Sequence, residues 1–143
     1  MTPFTLPSPE TPFGRRVARR LRDSAVAWLT TVTADGTPQP NPVWFLWDGS
    51  SFLIYSLSGA ARLENIARSP RVSLNFDSDG RGGDIIVFTG NAQVAPDEPP
   101  ADQNAAYLAK YRTAIDASFG GPAAFAARYS VPIRITPLKV RGH

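Results

Sequence analysis

Between Tyr55 and Phe76 the chain reads YSLSGAARLENIARSPRVSLNF, with hydroxyls, small residues and one arginine standing where a helix is due to begin. The first N–H groups of a helix lack intrahelical partners and carry the positive end of its dipole. Ser56, Ser58 and Gly59, ahead of Ala60, could therefore offer backbone and hydroxyl donors to a phosphate. Arg62, one turn in, would add a fork of charged donors on the same side. The same residues also make an ordinary helix start, with Ser58 as N-cap and Arg62 solvated opposite an apolar stripe of Leu63 and Ile66. Composition alone favours this second reading, as it does for any short motif.

Rival chemistries have few residues to work with. The chain has no cysteine, so disulfides, thiolate nucleophiles, CxxC redox pairs and cysteine metal sites are excluded. The single histidine is His143, so a Ser-His-Asp triad, an HExxH zinc site and an internal haem ligand are not expected. Asp77, Asp79 and Asp84 in DSDGRGGD invite a calcium reading. The glycine there falls at the fourth position instead of the sixth, however, and Phe88 stands where a bidentate Glu is needed, so the stretch reads as a glycine-rich hairpin loop with no metal.

The elements that must position these residues follow from spacing. At 143 residues the chain fits one domain, 1–143, able to bury a core without disulfides; three prolines among the first ten residues predict a loose N-terminal segment. Phe13, Val17 and Leu21 predict a helix from Thr11 to about Asp23, entered through Pro12. Arg15, Arg19 and Arg22 lie opposite that stripe as a solvated face. Arg16 and Arg20 flank it, where contact with a bound anionic group is an alternative to solvation. Ala25 to Thr33 and Pro38 to Trp47 read as a hairpin turning at Asp35-Gly36, and Asp48-Gly49 leads into Ser51 to Ser56, giving a three-strand meander.

Prolines at 38, 40 and 42 cannot donate ladder bonds, which places the second strand at an edge and leaves backbone free beside Trp44 and Phe45 for a flat polar ring. On such a strand Val43, Phe45 and Trp47 share one face and Trp44 shares the other with Leu46, which is equally the pattern of core packing. A helix from Ala60 to Arg68 ends before Pro70, and Val72, Leu74 and Phe76 alternate as a fourth strand. Asp84 to Val94 is a fifth strand, with Gly90 a bulge or a place of close approach. Ala105, Leu108 and Tyr111 predict a helix broken at Gly120-Gly121, a short helix follows from Pro122 to Tyr129, and Val131 to Val140 is a last strand. Six mostly antiparallel strands with helices inserted late predict a mainly β protein, a six-stranded Greek-key barrel decorated by helices.

The order of VTADGTPQPNPVWFLWDG, an IYS strand end, GAARLENI and PRVSLNF resembles the pyridoxamine 5'-phosphate oxidase-like split β-barrel family, and within it the flavin and deazaflavin oxidoreductases. The resemblance runs from about Ala25 to Phe76 and continues weakly from Arg134 to Gly142. It implies a homodimer with a cofactor in a groove at the subunit interface. By the same resemblance Tyr55, Ser56 and Arg62 fall beside the cofactor phosphate, Asn41, Val43, Trp44 and Phe45 line the ring system, and Ser58 and Asn65 lie nearby. Ala61 stands where pyridoxamine phosphate oxidases carry a further basic residue, and their C-terminal substrate signature is missing from ITPLKVRGH, so vitamin B6 oxidation is not expected.

One small-residue turn followed by one basic residue is closer to the branch that binds the deazaflavin coenzyme F420. The net charge of +3 also suits that coenzyme's acidic tail. The resemblance therefore implies an F420-dependent reductase acting on a small organic acceptor. FMN is the alternative cofactor, and a non-catalytic cofactor-binding protein is the alternative class. No interleaved basic and aromatic pattern suggests nucleic acid, and no apolar run is long enough to span a bilayer. The expectation is a cytoplasmic protein without nucleic-acid or membrane partners.

Overall fold

The computed structural model describes residues 3–143. Helix α1 (Pro12–Asp23) begins where the sequence predicts: Thr11 Oγ1 accepts from the Gly14 N–H, Pro12 occupies the first turn, and Val17 and Leu21 are buried. Of the N-terminal segment, residues 1 and 2 lie outside the described residues. Residues 3–8 have no regular structure, while Phe4 and Leu6 pack on the core. The strands are β1 (Val26–Val32), β2 (Pro38–Trp44), β3 (Leu46–Trp47), β4 (Phe52–Ser56), β5 (Arg71–Asn75), β6 (Ile86–Val94) and β7 (Val131–Gly142). Helix α2 (Ala61–Arg68) connects β4 to β5, and α3 (Ala105–Phe119) with α4 (Pro122–Arg128) connects β6 to β7.

All neighbouring strands run antiparallel in one seven-stranded sheet ordered β2-β1-β5-β6-β7-β4-β3. The expected six strands are seven because the predicted strand Pro38–Trp47 is cut at Phe45. Its first part pairs with β1 and its second with β4, so no three-strand meander forms. The two ends of the sheet are thus one residue apart in the chain, which curls the sheet around an interior. Gly90 is the expected bulge: the β6–β7 register shifts between Thr89 and Gly90, and a Cβ there would lie 2.8 Å from the Thr136 carbonyl oxygen.

Two cores result. Phe45, Phe52, Ile54, Phe76, Phe88, Ile133 and Ile135 belong to the one inside the curled sheet. Leu53, Tyr55, Tyr107, Tyr111, Ile115 and Phe125 form the other, between the sheet and α3–α4. Strand β4 serves both, which is why all five of its residues are buried. The expected division of the Trp44 region also holds: Val43, Phe45 and Trp47 face the inner core, and Trp44 and Leu46 pack on the outer one.

Candidate functional site

The site is built where β2 and β4 run out beside the first turn of α2, under α3 and α4. A cavity of about 260 Å³ lies there, lined by Val43 and Trp44 from β2, Tyr55 from β4 and Arg62 from α2. Tyr107 and Phe119 of α3, Phe125 of α4 and Tyr129 just after it also line it. Trp44 is packed into this aromatic set, its ring stacked on Tyr111 at 4.6 Å and 4° and on Phe125 at 5.5 Å and 15°.

Arg62 is the cation of the cavity. Its only hydrogen bond is a long one, 3.4 Å from Nη1 to Ser56 Oγ, and no carboxylate lies within ion-pair distance among the described residues. Burial holds the guanidinium pKa below its ordinary value, and the neighbouring Tyr129 acts weakly in the opposite direction. A half-buried guanidinium with no carboxylate partner among the described residues, lining a largely aromatic cavity, is a donor set that fits an anionic ligand bearing a ring.

The wall carrying Trp44 is shaped from a distance. The Tyr111 hydroxyl accepts the Phe45 N–H at 2.9 Å and lies 2.6 Å from the Ala25 carbonyl oxygen, to which it can donate. Lys110 Nζ donates to the Phe45 carbonyl at 2.9 Å and sits 3.7 Å over the Phe45 ring. Helix α3 thus takes the backbone of Phe45 out of both flanking ladders. That is the physical cause of the break between β2 and β3, and the Phe45 backbone is not free for a ring as the prolines had suggested. Burial pushes the Lys110 ammonium down to about 8, with Asp23 opposing weakly.

The family model described as pyridoxamine 5'-phosphate oxidase matches residues 13–143. The chain belongs to this family. No curated protein sequence is similar enough to be matched. Among solved structures, the chain is similar to a putative pyridoxamine 5'-phosphate oxidase from Listeria innocua, with 21% identity, 89% of this chain and 94% of that one covered, and a TM-score of 0.63. It is similar to an F420 reductase at 23% identity, with 86% and 94% covered and a TM-score of 0.60. It is also similar to HutZ, the haem storage protein of Vibrio cholerae, at 12% identity, with 92% and 95% covered and a TM-score of 0.64. At these identities the likeness is one of fold.

Within the pyridoxamine 5'-phosphate oxidase fold, the residues singled out in the sequence divide into two groups. Val43, Trp44, Tyr55 and Arg62 line the cavity, and Ser56 supports Arg62 from below. Phe45 is buried behind the wall, and Asn41 is exposed on β2. Ser58 is exposed and does not cap α2, whose N-cap is Ala60 without a side-chain bond. Asn65 faces away from the cavity: its amide donates to Thr31 Oγ1 at 3.0 Å and Gln39 Oε1 at 3.3 Å, tying α2 to β1 and β2.

Arg16 and Arg20 are engaged elsewhere, donating to the two oxygens of Asp84 at 2.9 and 2.7 Å. The acidic loop is likewise committed, because Asp79 accepts the Arg81 and Gly83 N–H groups and Asp77 accepts from Trp28 Nε1. Reasoning from sequence missed Tyr107, Phe119, Phe125 and Tyr129. Their aromatic character was visible, but helical spacing marks only which residues share a face and not what that face covers.

Proposed function

We propose that this member of the pyridoxamine 5'-phosphate oxidase family is an oxidoreductase that binds coenzyme F420 and moves hydride between the deazaflavin and a small organic acceptor. The observation that carries the reading is Arg62, a half-buried guanidinium that lines the aromatic cavity and has no carboxylate partner among the described residues. Arg62 would hold the phosphate with Ser56 behind it, and Val43 and Trp44 would lie against the ring. Either F420 or FMN supplies the hydride chemistry itself when bound. The chain's own work is then to orient the ring, to fix the anionic group and to keep water out with Phe119, Phe125 and Tyr129.

A cytoplasmic homodimer with the cavity at its interface belongs to the same proposal. The outer face of β1 and β2 supports the dimer: Val26 and Trp28 are each 36% exposed and pair with Trp44 and Pro42, so an apolar face runs directly into the cavity wall. Among the described residues no helix is long and apolar enough to cross a membrane.

The test is to mix the purified protein with F420 and with FMN and follow retention on gel filtration. Retention of F420 supports the reading, and tight binding of FMN without F420 replaces it with an FMN enzyme. The likeness to a haem storage protein gives a second reading, in which the cofactor is held without turnover. Reduced cofactor that is bound yet never reoxidised by quinones, tetrapyrroles or nitroaromatics would establish that reading instead.

A further inference from the structure

All four tyrosines of the chain gather around α3, and their hydroxyls are served unequally. Tyr55 donates to the Pro99 carbonyl at 2.7 Å and accepts from Asn104 Nδ2 at 3.2 Å. Tyr111 holds the backbone of Phe45. Tyr129 is part-exposed, so water can serve it. Tyr107 is different: it is 1% exposed, it lines the cavity, and its hydroxyl has no hydrogen-bond partner among the described residues. Among the described residues no buried side-chain polar atom is left both enclosed and unpaired, so the Tyr107 hydroxyl, on a residue that lines the cavity, keeps some open surface of its own.

Its position is fixed on every other side. Asn104 Oδ1 accepts the Tyr107 N–H at 3.0 Å in the first turn of α3. The ring meets Tyr55 edge to face at 4.9 Å and also lies 4.9 Å from Tyr111. A donor this confined cannot turn to another partner when a ligand fills the cavity; it is either satisfied by that ligand or buried unpaired.

We infer that Tyr107 selects the ligand of this cavity, donating its hydroxyl hydrogen to an oxygen or nitrogen acceptor on the edge of a flat ring whose anionic group pairs with Arg62. The inference rests on the reading of the cavity as a ring site. It narrows the ligand class from planar anions in general to planar anions with a ring carbonyl or ring-nitrogen acceptor, and places hydrocarbon rings of the same shape at a disadvantage. Burial, and the neighbouring tyrosines after it, push the Tyr107 pKa up, which keeps the hydroxyl a donor throughout the neutral range.

The test uses two probes of matched shape and charge, anthraquinone-2-sulfonate and anthracene-2-sulfonate, titrated calorimetrically into the full chain. The wild-type protein is expected to bind the quinone at least about tenfold more tightly. Tyr107→Phe should bring that ratio close to one while the melting temperature stays unchanged, since the variant loses no hydrogen bond within the protein. Arg62→Ala should weaken both probes together and leave the ratio intact. Equal binding of the two probes by the wild type, or a Tyr107→Phe variant that keeps the preference, overturns the inference and leaves the cavity reading standing. Failure of the wild type to bind either probe overturns both.

Discussion

Among the described residues Arg62 and Lys110 are both cations held partly out of water without a carboxylate partner, and they differ in what they face. Arg62 faces the cavity and its only bond is 3.4 Å long, so removing it leaves nothing unpaired. Arg62→Ala should therefore weaken binding of a phosphate-bearing cofactor by about 1–3 kcal/mol. The free energy of unfolding in urea should move by less than about 0.5 kcal/mol. Unchanged cofactor affinity would remove Arg62 from the site.

Lys110 faces the protein. Its native pKa of about 8 lies below the ordinary 10.5, so in that window the unfolded chain binds a proton that the native chain does not. Lys110 therefore makes stability rise with pH just above about 8, relieving a cost carried at lower pH. The buried Tyr55, Tyr107 and Tyr111, whose pKa values are raised above the ordinary 10.0, turn the slope downward as pH approaches 10.0, so the window for the rise is about pH 8 to 9. Urea unfolding at a series of pH values through this window should show the rise, and Lys110→Met should flatten it. A wild-type profile that is flat or falling there would show that Lys110 titrates normally.

At the scale of elements, the break between β2 and β3 shows where local pattern stops being informative. Alternation of Val43, Phe45 and Trp47 continues through the break, so a single strand from Pro38 to Trp47 was the natural expectation. The residues that interrupt it, Tyr111 and Lys110, come from α3, far along the chain. Features set by neighbours in sequence were legible: the start of α1 at Thr11 with its Pro12 entry, the glycine turns, and the bulge at Gly90. Arg62 and Trp44 were placed through the resemblance in motif order, whereas Tyr107, Phe125 and Tyr129 entered the site only once α3 and α4 had folded over β4.

Tyr111 links the break to the site, because one hydroxyl holds the Phe45 N–H while the ring stacks on Trp44. Tyr111→Phe keeps the stack and leaves a buried N–H without its acceptor, at a cost of about 1–3 kcal/mol. Chemical denaturation reads that loss directly. A variant as stable as the wild type would mean that the Phe45 backbone is satisfied without α3.

For the molecule as a whole, the distribution of exposed apolar surface decides where a second copy would sit. Inward residues of β1, Ala27 and Leu29, are buried, while outward Val26 and Trp28 stand in a row with Pro42 and Pro40 across the ladder. That row carries no charged side chain, and Trp28 also pairs across to the polar, uncharged Asn75. Covering it would remove the largest exposed aromatic side chain from water and extend the cavity wall that begins at Pro42 and Trp44. Sedimentation of the wild-type protein at micromolar concentration should therefore give a dimer. Trp28→Glu, which places a charge at the centre of the covered face, should give a folded monomer with an unchanged far-ultraviolet circular dichroism spectrum. Because the cavity wall adjoins that face, the monomer should also bind cofactor at least about tenfold more weakly. A Trp28→Glu protein that remains dimeric would move the interface to another face, and a monomer with full cofactor affinity would show that one chain completes the site alone.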